Sequence, residues 1–177
     1  MSARLRNEAL HTFRDALDRS VGCVTAFPVV LRQRRSSDAT VFAFETLSEF
    51  VRLRAPIGLG LRVRLRARIG PADAAGREWR ATIVAYQYAL LDGDGREYLT
   101  YHWHPDGVSH VTTPHLHLGP AAQVGVPQIA AAHLPTGSVQ LPEVVRLAIE
   151  AFRARPLRQD WSVMLTTAAR SLSPTPA

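Results

Sequence analysis

The sequence lacks lysine altogether, has a single cysteine and contains no long apolar run. All 21 basic side chains in its 177 residues are arginine, and the formal net charge is +6. One cysteine, Cys23, cannot form an internal disulfide, which favours a reducing compartment and predicts a cytoplasmic location. No run reaches the roughly 18 apolar residues that a membrane span needs, so no membrane partner is expected.

The composition is that of an ordinary globular protein, with 46% hydrophobic and 20% charged residues. The length predicts one domain over residues 1–172, followed by a disordered tail at 173–177. The positive charge favours RNA or another polyanion as partner. Because the absence of lysine suggests a bias in base composition, the positions of the arginines are more informative than their number.

Periodicity predicts an α+β fold: an antiparallel sheet of about five to six strands, with N-terminal and C-terminal helices packed on one face. The sequence Asp92-Gly93-Asp94-Gly95 is typical of a hairpin turn. The predicted helices are residues 3–19, 142–154 and about 158–171, with a short helix through Phe50 and Val51. The predicted strands are residues 24–32, 40–45, 61–69, about 79–91, about 96–104 and 114–119.

Five of the seven histidines fall between positions 102 and 117, and four of these form two His-x-His pairs on neighbouring predicted strands. Alternation places His102 and His104 on one face of the first strand, together with Tyr98. His115 and His117 share a face of the next strand. If both strands bury their apolar sides in the same core, all four imidazoles project from one polar face.

Three interpretations of these four histidines are open. A neutral and a protonated imidazole supply the base and the acid of metal-free RNA cleavage, which needs no cofactor. Alternatively, all four bind zinc or another divalent metal. In the third interpretation they are surface or turn residues that make ordinary hydrogen bonds. Because Glu97 and Asp106 are the only nearby carboxylates, metal-free chemistry is favoured over the metal site.

One predicted strand carries a row of four arginines: Arg62, Arg64, Arg66 and Arg68. Their period of about 6–7 Å matches successive phosphates along a nucleic-acid strand, and guanidinium groups bind phosphate in a bidentate manner. The alternative is a solvated outer face of an amphipathic strand. Tyr86 and Tyr88, on the neighbouring strand, are predicted to stack on bases if they share that face; otherwise they belong to the core.

Three segments between about residues 84 and 153 form a recognisable series: VAYQYALLDGDGREYLTYHWHPDG, TTPHLHLG and LPEVVRLAIEAF. They comprise a Tyr-x-Tyr strand, an Asp-Gly hairpin, two histidine-bearing stretches and a helix that begins with proline. This series resembles the TumE-type toxins of bacterial toxin–antitoxin systems. It departs from that family after the return strand, where Tyr101–His104 replaces an Asp-Asn pattern, and in having PHLH rather than PHHKH.

The resemblance implies a cytoplasmic, growth-inhibiting protein that acts on RNA and has a cognate antitoxin. Only His115 and His117 fall on the family's histidine motif. The leading hypothesis is a toxin-like, RNA-directed protein, a metal-independent endoribonuclease that uses the four histidines while the arginine row holds the phosphates. The alternatives are a non-catalytic nucleic-acid- or protein-binding subunit of a bacterial defence or regulatory complex, and a metal-dependent phosphohydrolase.

Several properties stay open at this point. The sequence does not decide whether there is turnover, which substrate is used, or whether a metal is needed. It also leaves open whether the chain forms a homo-oligomer, which protein its partner would be, and whether the histidine pairs and the arginine row share one face.

Overall fold

The computed structural model describes residues 2–32, 40–107 and 110–173. Within these residues the chain has the predicted α+β fold, an antiparallel sheet with helices at both ends of the chain. The sheet has eight strands in the described ranges rather than five or six. Apart from Ser173, the tail predicted to be disordered lies outside the described residues.

The helices are α1 (Ser2–Val21), α2 (Pro127–Ala130), α3 (Leu141–Glu150) and α4 (Trp161–Leu172), and a single 3-10 turn spans Pro120–Ala122. The strands are β1 (Val29–Arg32), β2 (Val41–Thr46), β3 (Val51–Arg52), β4 (Gly60–Pro71), β5 (Trp79–Leu91), β6 (Glu97–Trp103), β7 (His115–Leu118) and β8 (Leu134–Pro135). The predicted short helix through Phe50 and Val51 is wrong, because Val51 pairs with Leu61 as part of β3.

The sheet order is β1-β2-β4-β5-β6-β7-β8, with β3 beside β4. One face is covered by helices: α1 packs on β4 and β5, α3 packs on β5, and α4 packs on α1 and α3. From α1, Phe13 and Leu17 enter the core at the four-residue spacing that places side chains on one helix face. From β4, Leu61, Val63 and Leu65 enter it at the two-residue spacing of a strand.

A tight hairpin turn fixes the register between β5 and β6. The backbone N–H of Asp92 donates to the carbonyl of Arg96 at 2.8 Å, and Asp92 Oδ1 accepts the backbone N–H groups of Asp94 and Arg96, both at 2.9 Å. Gly95 takes a φ of +82°, which a glycine adopts without steric cost. The confirmed turn therefore decides which β6 residues lie opposite which β5 residues.

Strand β5 changes the phase of its alternation at a bulge. Its register with β4 shifts so that Arg66 opposes Ala85 but Ala67 opposes Ile83. After the bulge, Tyr86 and Tyr88 face the helix-covered side, where their side chains are 1% and 0% exposed. The prediction that these tyrosines stack on bases is therefore corrected: both belong to the core, on the face opposite the arginine row. Within the described residues, no helix is both long and apolar enough to cross a membrane.

Candidate functional site

The strand register brings the histidines and the arginines to the same face of the sheet. Gln87 on β5 pairs with Arg64 on β4 and with His102 on β6. His102 in turn pairs with His115 on β7. Directly opposed residues of antiparallel strands share a face, so all four side chains project from the face opposite the helices. The question that the sequence left open is thereby answered, since histidines and arginines do share one face.

Three imidazoles converge on this face. One ring nitrogen each of His102, His115 and His117 lies within 4.8 Å of the corresponding atoms of the other two. His102 Nδ1 is 3.2 Å from His115 Nε2. Two nitrogen ligands of a tetrahedral zinc ion, each at about 2.0–2.1 Å from the metal, are about 3.3 Å apart. The spacing of this pair is therefore that of two ligands on one ion.

One ring nitrogen of His115 is held by a backbone carbonyl. Its ring is buried, with a residue exposure of 3%, and its Nδ1 lies 2.7 Å from the carbonyl oxygen of Thr113. A carbonyl only accepts hydrogen bonds, so His115 Nδ1 is the donor of this contact. In the tautomer with hydrogen on Nδ1 alone, His115 Nε2 carries a lone pair and His102 Nδ1 is the donor of the contact between the two rings. A metal ion in place of the proton between His102 Nδ1 and His115 Nε2 would be bound by a lone pair from each ring. The hydrogen bond from His115 Nδ1 to Thr113 would then orient His115, as backbone carbonyls do for histidine ligands in known metal sites.

The electrostatics of the cluster favour neutral imidazoles. Burial, followed by the charges of the neighbouring imidazoles, lowers the pKa of His102 from 6.5 to about 4. Burial also lowers the pKa of His104, with a further contribution from Arg66. The pKa of His117 is lowered by burial and by the adjacent imidazoles. At neutral pH these side chains therefore offer lone pairs, and none of the three serves readily as an imidazolium acid.

Two further histidines extend the cluster on either side. The ring centroid of His104 lies 4.2 Å from that of His102. On the other side, the ring centroid of His133 lies 4.3 Å from that of His117 and 4.9 Å from that of His115. Sequence reasoning missed His133, because it follows an irregular, alanine-rich segment. Only the pairing of β8 with β7, where Leu134 opposes Leu116, brings it back to the site.

Arg62 differs from the rest of the arginine row because its side chain is buried and fully engaged. Its Nη1 donates to Glu97 Oε1 at 3.0 Å, its Nη2 to Glu49 Oε1 at 3.1 Å, and its Nε to the Glu49 carbonyl at 3.2 Å. The second oxygen of Glu97 accepts a hydrogen bond from Thr100 Oγ1 at 2.7 Å. Thr100 is the strand partner of His117, so this network lies next to that histidine on the same face of the sheet. Arg62 is therefore a structural residue, contrary to its predicted role in holding phosphate.

Glu97 reaches this face because β6 has an irregular register near its start. Leu90 opposes Leu99, but Leu91 opposes Glu97, so the side chain of Tyr98 leaves the alternation. The Tyr98 ring instead contacts Phe152, at 5.8 Å between centroids, on the helical side. The predicted place of Tyr98 beside the histidines is wrong for this reason.

Arg64 and Arg66 are exposed, and they border an open cleft of about 390 Å³. Among the described residues, no carboxylate forms an ion pair with either guanidinium, and Arg64 Nη1 makes only a long contact of 3.5 Å with Gln87 Oε1. The cleft is also bordered by residues of β2, β4 and β5 and by the residue that follows β6: Ala43, Glu45, Leu65, Ala85, Tyr86, Gln87 and His104. Arg68 is exposed farther along β4, beyond the cleft, opposite Thr82.

No protein-family model, curated protein or solved structure matches the chain. The resemblance to TumE-type toxins therefore stays a prediction from the sequence.

Proposed function

We propose that the chain binds one divalent metal ion of the zinc class through His102, His115 and His117 and uses it to hydrolyse a phosphodiester. The observation that carries this proposal is the convergence of three ring nitrogens within 4.8 Å of one another. Zinc accepts three imidazoles and keeps a fourth position for water or substrate in catalytic sites. His133, beside His117, is a further imidazole within reach of that position.

The protonation states support a metal in preference to acid–base chemistry alone. The pKa values of His102, His104 and His117 are all lowered, which keeps these groups ready to donate a lone pair. A zinc-class ion acts as a Lewis acid on a phosphoryl oxygen and makes water a better nucleophile. The hydrogen bond from His115 Nδ1 to the Thr113 carbonyl orients one of the three proposed ligands.

The substrate class follows from the charge of the same face. Exposed arginines on β4 attract anions, and guanidinium groups bind phosphate oxygens in a bidentate manner. We propose RNA as the substrate, in keeping with the resemblance to TumE-type toxins. A cytoplasmic location and a cognate antitoxin belong to the same proposal.

The test compares two histidine variants of the full chain. His117→Ala removes a proposed ligand, whereas His11→Ala removes an exposed histidine of α1 as a matched control. Each protein is incubated with labelled RNA and with bis(p-nitrophenyl) phosphate, before and after EDTA treatment and after zinc or manganese is restored. We expect His117→Ala and EDTA each to lower the rate at least about tenfold, since a metal ion supplies several kcal/mol of transition-state stabilisation. His11→Ala should retain the wild-type rate.

A second candidate is metal-free RNA cleavage by the same histidines. The contact of 3.2 Å between His102 Nδ1 and His115 Nε2 favours it, because it lets a proton pass between two rings. Cleavage that survives EDTA but not His117→Ala would replace the metal proposal with this one. Salt-sensitive RNA binding with no turnover at any metal concentration would instead indicate a non-catalytic binding module.

A further inference from the structure

Only two of the four arginines on β4 border the cleft. Arg62 is buried against Glu49 and Glu97 and cannot hold a ligand. Arg64 and Arg66 border the cleft, whereas Arg68 lies outside it. A nucleic-acid strand that ran along β4 would contact only part of the predicted arginine row. A polyanion that contacts both the arginines and the histidines must therefore run across the strands.

The register supplies such a transverse path. Arg64, Gln87, His102 and His115 form one continuous row across β4, β5, β6 and β7. Two strand spacings separate Arg64 from His102, which corresponds to about 10 Å between the backbones. The cleft and the histidine cluster also meet directly, because His104 borders the cleft while its ring lies 4.2 Å from that of His102.

The shape of the cleft comes from small side chains around Arg66. On β2 its partner is Ala43, and on β5 its partner is Ala85. Methyl groups on both sides leave the space above the sheet open to a ligand of Arg66. Glu45 opposes Arg64 and offsets its charge, so the Arg66 end of the cleft is the more favourable place for an anion.

We propose that this cleft is a second anion subsite, which binds a phosphate that flanks the reacting one, with Arg66 as its main contact. The substrate is then a single-stranded polynucleotide of at least two phosphates that crosses the sheet from β4 to β7. The subsite rests on the proposed function, since the histidines are what place the reacting phosphate. Gln87, between the two positions, offers an amide to the linking sugar or base.

The test is a binding measurement with ligands of increasing length. Competition against a labelled oligouridylate is followed by fluorescence anisotropy at about 0.15 M salt, where long-range attraction is screened. The competitors are uridine 3′-monophosphate and uridylates with two, three and four phosphates. For the wild type we expect affinity to rise at least about tenfold at the second or third phosphate, the value of one charge-assisted contact of about 1.5 kcal/mol.

Three arginine variants separate the transverse path from its rivals. Arg66→Ala should abolish the step in affinity, while Arg68→Ala should reduce affinity less than twofold. Arg170→Ala, an exposed position on α4, controls for the loss of one positive charge. Equal losses for Arg66→Ala and Arg68→Ala would show that the strand follows β4, and equal losses for all three would show diffuse attraction; either result overturns the subsite.

The two proposals fail in different ways. Absence of metal-dependent hydrolysis would remove the proposed reaction, but the binding series would still decide whether Arg66 holds a second phosphate. Conversely, a wild-type affinity that does not change with the number of phosphates would overturn the subsite even if the metal centre hydrolyses small diesters.

Discussion

The two faces of the sheet share the same strands and differ in what holds their side chains in place. On β4, Leu61 and Val63 are buried beneath the helices, while Arg64 and Arg66 on the other face are exposed. Apolar area removed from water stabilises the first face. The second face carries imidazoles and the exposed Arg64 and Arg66, two like charges on one side of a strand whose repulsion costs stability. Groups gathered at such a cost are candidates for function, and the predictions below set one face against the other.

The largest effect on stability should come from the helix-covered face. Leu61→Ala removes a side chain that is 0% exposed, and we expect the free energy of unfolding to fall by about 2–5 kcal/mol. Urea denaturation followed by circular dichroism measures the change. Metal binding by the folded protein should be unaltered, because Leu61 does not reach the histidine face. A loss below about 1 kcal/mol would mean that the helices do not bury this position as described.

A smaller loss is expected from Arg62→Ala, the one buried member of the arginine row. The substitution leaves Glu97 with Thr100 alone and removes three hydrogen bonds, which should cost about 1–3 kcal/mol. The loss is no larger because the Glu49 side chain is 73% exposed and well solvated, so its ion pair with Arg62 contributes little. The same urea experiment measures it. If Arg62→Ala were as stable as the wild type, the structural role assigned to this arginine would be wrong.

The metal-free protein should lose stability in acid through its histidines. The pKa of His102 is about 4 in the folded chain and near 6.5 in the unfolded chain, so only the unfolded state takes up a proton between these values. Stability is therefore complete above about pH 6.5 and falls as the pH is lowered to about 4. Urea midpoints of the EDTA-treated protein across this range measure the slope. His102→Gln should flatten the slope and His11→Gln should keep it; identical slopes for both variants would refute the assignment.

The smallest effect on stability is expected from Arg66→Ala. Its side chain is exposed and forms no ion pair with a described carboxylate, so the free energy of unfolding should change by less than about 0.5 kcal/mol. Urea denaturation beside Arg62→Ala gives the direct contrast between two members of one row. A loss as large as that of Arg62→Ala would show that Arg66 also serves the fold.

The fold could be predicted from the sequence wherever one pattern was unambiguous. Strand β4 alternates leucine, valine and arginine without a break, and α1 carries apolar residues at helical spacing, so both were predicted correctly. The hairpin at Asp92 was equally clear from its turn residues. For strand β5, the sequence did not show which side chains face the helices, because apolar residues occupy both of its faces. The bulge at Val84 also has no recognisable sequence pattern.

The candidate site was predictable in part for the same reason. His102, His104, His115 and His117 share one face as expected, since simple alternation holds through these strand segments. That the arginines lie on the same face depended on three strand registers, those of β4 with β5, β5 with β6 and β6 with β7, which periodicity does not supply. His133 depended on a strand of only two residues, β8, which gives no periodic signal.

The central claim is that His102, His115 and His117 hold one metal ion. Zinc titration of the metal-depleted full chain by equilibrium dialysis, with X-ray absorption at the zinc edge, tests it most directly. We predict about one zinc per chain, bound by at least three imidazole nitrogens at about 2.0–2.1 Å, with the number of imidazole ligands reduced in His115→Ala and unchanged in His11→Ala. If the wild-type chain failed to retain zinc on dialysis, or if the spectrum of His115→Ala were unchanged, the claim would be contradicted.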